Sequence, residues 1–289
     1  MYKLILTDMD GTFLNSEHEL SEENIKAVKK AQEKGVHFGI VSGRPYKLIK
    51  PFVQEHNFNC YAVALNGAQI YNENFNMICE NYIEFDSVCE AIKIFEEEDI
   101  LYQIYTSNET LCKPLGNHQK DFINLAEQYS SDKDEIAKIV EDMKKHTYGN
   151  SLIVEDIIDY IKVNNLKVCK MEVKSSSAEK LDIIKEKIGK IEDISITSSY
   201  KNNLEFVHKS VDKGSALEQL GEKLGVNPKE IIAIGDNLND LGMIKAAGLG
   251  VAMGNAIDEL KEQANFVTVS NDEHGVAQVI DKFILNSTK

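Results

Sequence analysis

Two aspartates, Asp8 and Asp10, stand on alternate residues at the end of the apolar run LILT, and a second pair, Asp236 and Asp240, follows the apolar run IIAIG in the stretch GDNLND. Like charges this close raise one another's pKa unless a cation lies between them. Taken alone, the first pair reads equally well as a solvated turn, with Gly11 bending the chain and Thr12 capping the next segment. Four aspartates at two strand ends are harder to read that way. An oxygen-rich, nitrogen-poor donor set suits a hard cation, and a site that keeps waters and a substrate phosphate suits Mg²⁺. No loop offers the run of oxygens that calcium prefers, and the seven histidines show no ligand spacing. Lys213 adds a second clue. In VDKGSALEQLGEKLG it opens an amphipathic helix, where the helix dipole disfavours a cation by a few tenths of a kcal/mol or more. Either Asp212 offsets a surface lysine, or Lys213 and the adjacent backbone N–H groups face an anion at the acidic rim.

These residues need a scaffold that brings them together. At both ends of the chain short β-type runs alternate with helical periods, the pattern of a parallel sheet covered by helices. Tyr2 to Thr7, HFGIVSG, YAVALNG, EIIAIGD, LGVAMG and FVTV supply six strands. Glu22 to Lys34, with Ser21 as N-cap and Gly35 at the stop position, a helix opened by Pro45, Lys213 to Leu224 and Asp240 to Ala247 supply helices. The expected fold is α/β: a doubly wound, Rossmann-like parallel-sheet core formed by residues 1–82 and 210–289. Residues 83–209 carry longer amphipathic helices, Asp86 to Glu98 and Asp134 to His146, and the strand candidates LYQIYT, LKVCKMEV, ISITSSY and NLEFVHK, which suit antiparallel pairing. They read as a smaller α/β domain inserted into the first. Ligands of open parallel sheets bind beyond the carboxyl ends of the strands. The rim to inspect is therefore Asp8 and Asp10, then Ser42, Gly43 and Arg44, Asn66, and finally Asp236, Asn239 and Asp240.

Composition narrows the partners. The chain has 289 residues, 43% of them hydrophobic, enough for a substantial core, and a formal net charge of -15. Such an acidic balance excludes a nucleic-acid partner and disfavours an anionic membrane surface. No signal peptide or spanning helix is evident, so a cytoplasmic location is expected. The five cysteines are scattered and odd in number, with no C-x-x-C pair, which argues for reduced thiols rather than a disulfide framework or a zinc site. Nothing in the sequence requires an oligomer. Of 32 basic residues only Arg44 is an arginine. A lone guanidinium on the acidic rim points to a two-pronged donor, either gripping a substrate oxygen pair or fixing an acidic partner.

DMDGT at 8–12, Ser42 in VSGR, Lys213 in DKG and GDNLND at 235–240 resemble, in order, the four motifs of the haloacid dehalogenase-like phosphohydrolases. LNGA at 65–68 and AGLGVAMGNA at 247–256 are similar to the Cof-type branch, whose α/β cap is inserted between the second and third motifs. The resemblance implies Asp8 as nucleophile and Asp10 as general acid and base, starting protonated in a crowded acidic site. It implies Mg²⁺ on the carboxylates of Asp8 and Asp236 and the backbone carbonyl of Asp10, with Asp240 and Asn239 in support. Ser42, Thr12 and Lys213 would hold the phosphoryl oxygens, alongside Gly11, Gly43, Arg44 and Asn66 on the same rim. The implied substrate is a small phosphorylated metabolite, with sugar phosphates, nucleotides and phosphorylated cofactors all compatible, and the cap is expected to close over it and set specificity. Rival readings are a receiver domain, disfavoured by the D-x-D alternation and the insert, a phosphosugar mutase using the same aspartyl chemistry, and a non-catalytic metabolite sensor on the same scaffold. The glycines of GLGVAMG do not have dinucleotide-fingerprint spacing.

Overall fold

Strand β1 (Leu4–Asp8) is buried along its whole length, the signature of a strand with helices over both faces of its sheet. The computed structural model describes residues 1–286. After β1 the chain makes one wide turn over Met9–Phe13, in which Gly11 takes φ +76, and enters α1 (Glu22–Glu33). Ser21 caps that helix by accepting from the Asn24 N–H, and Gly35 at φ +80 lies just past its end. Strand β2 (His37–Val41) is followed by α2 (Tyr46–His56), with Pro45 at the N-cap, and by β3 (Tyr61–Ala64). A hairpin that the alternation did not foretell, β4 (Gln69–Tyr71) and β5 (Met77–Glu80), closes this part of the chain.

The segment Asn81–Lys209 forms a unit of its own, inserted between the two parts of the other, Met1–Glu80 and the chain from Ser210 onward. Its elements are α3 (Phe85–Glu97), β6 (Leu101–Thr106), β7 (Thr110–Cys112), α4 (Gln119–Ala126), α5 (Lys133–Tyr148), β8 (Leu152–Ile153), α6 (Ile157–Val163), β9 (Val168–Lys174), α7 (Ala178–Ile188), β10 (Ile194–Thr197) and β11 (Asn203–His208). They build a six-stranded sheet in the order β10-β11-β9-β6-β7-β8, antiparallel except where β7 meets β8. Phe95, Ile104, Met171 and Phe206 sit at the centre of its apolar core.

The core unit then resumes with α8 (Lys213–Leu224), β12 (Ile231–Gly235), α9 (Leu241–Ala246), β13 (Leu249–Ala252), α10 (Asp258–Gln263), β14 (Phe266–Val267) and α11 (Gly275–Ile280). Its eight-stranded sheet runs β14-β13-β12-β1-β2-β3-β4-β5, parallel from β14 to β3 and antiparallel over the hairpin. The expected six strands are all present in this α/β fold. Among the described residues no helix is long and apolar enough to cross a membrane, and no disulfide joins the cysteines.

Candidate active site

Strand β1 lies between β12 and β2, both parallel to it, so the residues at the carboxyl ends of all three strands share one edge of the sheet. Asp8 ends β1, Asp236 follows β12, and Ser42 follows β2. The connection after β12 turns back sharply at Leu238–Asp240 and brings Asp240 to the same edge. Lys213 reaches it from the first turn of α8. Gly214, the next residue, allows this because a Cβ there would lie 2.7 Å from the backbone of Gly242 in α9. The two helices touch through glycines, and the lysine enters between them and the sheet.

Lys213 has no exposed surface. Its Nζ donates to Asp8 Oδ1 and, at 2.5 Å, to Asp240 Oδ1. The expectation of a partner at the unfavourable end of the helix dipole is met by two carboxylates, not by surface Asp212, which instead caps α8. Burial would lower the Lys213 pKa, but Asp240 and Asp8 hold it above its ordinary value. Asp240 Oδ2 accepts the backbone N–H groups of Asp236, at 2.9 Å, and Asn237, at 3.0 Å. Asp240 therefore anchors both the lysine and its own loop.

Carboxylate oxygens of Asp8, Asp236 and Asp240 lie within 4.8 Å of one another. Burial pushes the Asp8 carboxyl well up, against the pull of Lys213, and Asp240 and Asp236 add to the rise. Burial and then Asp240 push Asp236 up to about 6. An all-oxygen donor set in which Asp8 and Asp236 are held above their ordinary pKa fits a hard divalent cation, which would remove the mutual repulsion. Thr12 Oγ1 donates to Asp236 Oδ1 at 2.7 Å. Its hydroxyl is thus committed to an acid of the cluster, where the resemblance implied a phosphoryl oxygen. Gly11 lies against the same carboxylate, and a Cβ there would come within 2.5 Å of Asp236 Oδ2. No described residue hydrogen-bonds Asp8 Oδ2, which leaves one oxygen of Asp8 for an incoming electrophile.

Arg44 closes as a two-pronged fork on both carboxyl oxygens of Asp10, Nε to Oδ2 at 2.8 Å and Nη2 to Oδ1 at 2.5 Å. His18 Nδ1 stands 3.6 Å from Oδ1. Ser42 is buried, and its Oγ accepts the Arg44 N–H at 3.2 Å, which fixes the base of the arginine. Asn66 is buried in a left-handed conformation at φ 59, and its N–H donates to Ser42 O at 3.0 Å. Gly43 and Asn239 are half-buried on their respective loops. Two contributors escaped the sequence reading. Asn255 Nδ2 donates to Gly11 O at 2.8 Å and so pins the first loop, and it sits inside the AGLGVAMGNA stretch. His18 carried no signal, because its approach to Asp10 depends on a left-handed backbone at φ 61.

The fork makes Arg44 a positioning residue. Lysine at this place would keep the charge and lose the second donor. Arg44→Lys is expected to lower kcat/KM at least about tenfold, the value of a charge-assisted hydrogen bond, without a matching fall in Tm. A kcat/KM within about two-fold of wild type on the best substrate would reduce Arg44 to a surface charge.

A parallel sheet that presents a buried carboxylate, a buried lysine and two further acids at one strand edge is a class of α/β site suited to an anionic centre with a cation beside it. The family model for haloacid dehalogenase-like hydrolases matches residues 5–280, and the chain belongs to that family. It is 31% identical over 287 residues to the 5-amino-6-(5-phospho-D-ribitylamino)uracil phosphatase YwtE of Bacillus subtilis (strain 168), with 98% of each chain covered. Phosphatase YwpJ of the same organism is 28% identical over 289 residues, covering 96% of this chain and 98% of its own. Among solved structures, a haloacid dehalogenase-like hydrolase from B. subtilis aligns with a TM-score of 0.84 at 27% identity, covering 98% of this chain and 100% of that one. Another from Bacteroides thetaiotaomicron gives 0.75 at 30%, covering 98% and 99%. The chain is an enzyme of this family, a phosphatase of small phosphorylated compounds.

Proposed function

We propose that the protein hydrolyses small phosphomonoesters in a Mg²⁺-dependent reaction that passes through an aspartyl-phosphate on Asp8. The observation that carries this reading is Lys213, wholly buried and shared between Asp8 and Asp240. A lysine so placed holds the nucleophile's Oδ1, faces Oδ2 toward the substrate and supplies positive charge where a phosphate dianion must approach carboxylates. Asp8 Oδ2 attacks phosphorus, the bond to the leaving oxygen breaks, and that oxygen takes a proton from Asp10. Asp10 then takes a proton from water as the water attacks the aspartyl-phosphate, and the Asp8 carboxylate is restored. Arg44 sets where Asp10 stands before each transfer. Mg²⁺, held by Asp8 and Asp236 with the Asp10 carbonyl, Asp240 and Asn239 in support, would offset the charge of the phosphoryl oxygens. Ser42 and the backbone around Gly11 and Gly43 would face those oxygens.

The inserted unit would act as the specificity cap, and the substrate is a sugar phosphate, a nucleotide or a phosphorylated cofactor. A cytoplasmic setting belongs to this reading and is supported by five cysteines that are all free thiols. The test is a panel of phosphomonoesters assayed with Mg²⁺ and with EDTA. Phosphate release that requires the metal is expected; no release from any ester with metal present would refute the reading.

Asp236 gives the metal reading a pH signature. Its folded pKa of about 6 lies above the ordinary 3.8, so its contribution favours the fold below 3.8 and is lost as pH rises through 6. Ionised Asp236 then burdens the metal-free fold, and Mg²⁺ relieves it, whereas at lower pH the ion must displace a proton. The Mg²⁺-induced rise in Tm should be larger at about pH 7.5 than at about pH 5. Equal rises at both values would show that Asp236 does not hold the ion.

A further inference from the structure

The turn that follows Asp8 is held in place by asparagine side chains. It closes on itself through the Leu14 N–H, which donates to Met9 O at 2.9 Å. Three carbonyls along it then accept from amides brought by other elements of the same unit. Asn24 in α1 donates to Phe13 O at 3.1 Å, Asn255 in the loop after β13 to Gly11 O at 2.8 Å, and Asn271 just ahead of α11 to Leu14 O at 2.9 Å. Two of these amides are themselves fixed through Oδ1. Asn24 Oδ1 accepts the Ala277 N–H at 2.9 Å, and Asn255 Oδ1 accepts the Asn271 N–H at 3.0 Å. The turn is thereby fastened to chain more than 240 residues away, since Asn255 and Gly11 are separated by 244 positions.

The three amides do not serve one purpose. Asn24 and Asn271 are buried, as are Phe13 and Leu14, so without them buried carbonyls would go unsatisfied. Asn255 is exposed and Gly11 only half-buried, where water can take over the bond, so stability does not call for it. What this bond fixes is direction. Gly11 joins Asp10, gripped by Arg44, to Thr12, whose hydroxyl is given to Asp236. It does so at φ +76 and ψ -2, with the softest backbone in the turn, and a tie on its carbonyl removes the freedom that glycine brings there. Resting on the phosphatase reading, we infer that Asn255 is a positioning residue: through Gly11 O it sets the orientation in which the turn presents Asp10 for its two proton transfers. The stretch AGLGVAMGNA thereby gains a part in the chemistry through a residue that need not touch the substrate. Misplacement of a catalytic group by about 1 Å can cost about 10²-fold in rate, which is the scale open to such a tie.

The test is steady-state kinetics of two variants on the best phosphomonoester with Mg²⁺ present. Asn255→Ala removes donor and acceptor together, whereas Asn255→Asp keeps an acceptor for the Asn271 N–H and replaces only the donating amide. Both should lower kcat by about tenfold or more, with KM within about two-fold of wild type. Tm should stay within about 3 °C of wild type, well short of the fall in Asn271→Ala, which orphans a buried carbonyl. Combined with Arg44→Lys, Asn255→Ala should cost less in kcat/KM than the product of the two single losses, because both act on the placement of Asp10. Loss in the aspartate variant alone would reflect its added charge, and loss in the alanine variant alone would reflect the bond to Asn271; either overturns the inference. So does wild-type kcat in both variants, a loss carried by KM, a Tm fall as large as that of Asn271→Ala, or losses that multiply with Arg44→Lys. Wild type inert toward every ester, with metal present, overturns the phosphatase reading and this inference with it.

Discussion

Asp8→Asn should leave the fold intact and reduce turnover on the order of 10⁴-fold or more, the scale seen when a member of a catalytic unit is removed. Asparagine matches aspartate in shape, and its amide oxygen can still accept from Lys213, which also keeps Asp240. What it lacks is the anionic oxygen that attacks. Burial already pushes the Asp8 carboxyl upward, so loss of that charge relieves the cluster as well as silencing it. A Tm close to wild type with phosphate release at background level is the expected pair of results. Near wild-type release would mean that another group attacks phosphorus.

Lys213→Met should damage both fold and chemistry. The lysine is the cation between two buried carboxylates, and removal of one partner from a buried pair costs about 3–5 kcal/mol. At about 2–4 °C per kcal/mol this is a fall in Tm on the order of 10 °C. Catalysis should drop by about 10²-fold or more, since the charge that faces the phosphoryl group is gone. The sign with pH follows from Asp8. Lys213 is what opposes the upward push of burial there, so without it the Asp8 carboxyl rises further, and the extra instability grows as pH climbs through that range. The Tm gap between variant and wild type should therefore narrow on acidification. A gap that is absent, or constant with pH, would show that Lys213 does not neutralise the cluster.

Much of this was legible in the residues themselves. A buried parallel strand must be a near-continuous apolar run, which is why β1, β2, β3, β12 and β13 could be read directly. Helix α8 could be read from its amphipathic period, Ala216, Leu217 and Leu220 falling on one buried face. The hairpin β4–β5 could not: its strands are short, and Gln69 and Glu80 bond to each other across it without an apolar rhythm. In the inserted unit LYQIYT, VCKMEV and NLEFVH stood out, while β7 and β8, three and two residues long, left no period to detect. The acids of the site were readable from chain position, since strand ends fix where they emerge. Side-chain direction was not. Asp10 and Arg44 are 34 residues apart in the chain, and their pairing is a long-range contact, with the turn at Gly11 beside one and Ser42 holding the backbone of the other. Thr12 likewise turned to Asp236, a choice set by the left-handed Gly11 beside it.

The stereochemical course at phosphorus tests the central claim most directly. With a phosphomonoester made chiral by sulfur and oxygen isotopes, hydrolysed in isotopically labelled water, attack by Asp8 and then by water comprises two in-line displacements, each inverting the centre. Net retention of configuration is the predicted result. Net inversion would mean a single direct attack by water and would contradict a covalent intermediate on Asp8.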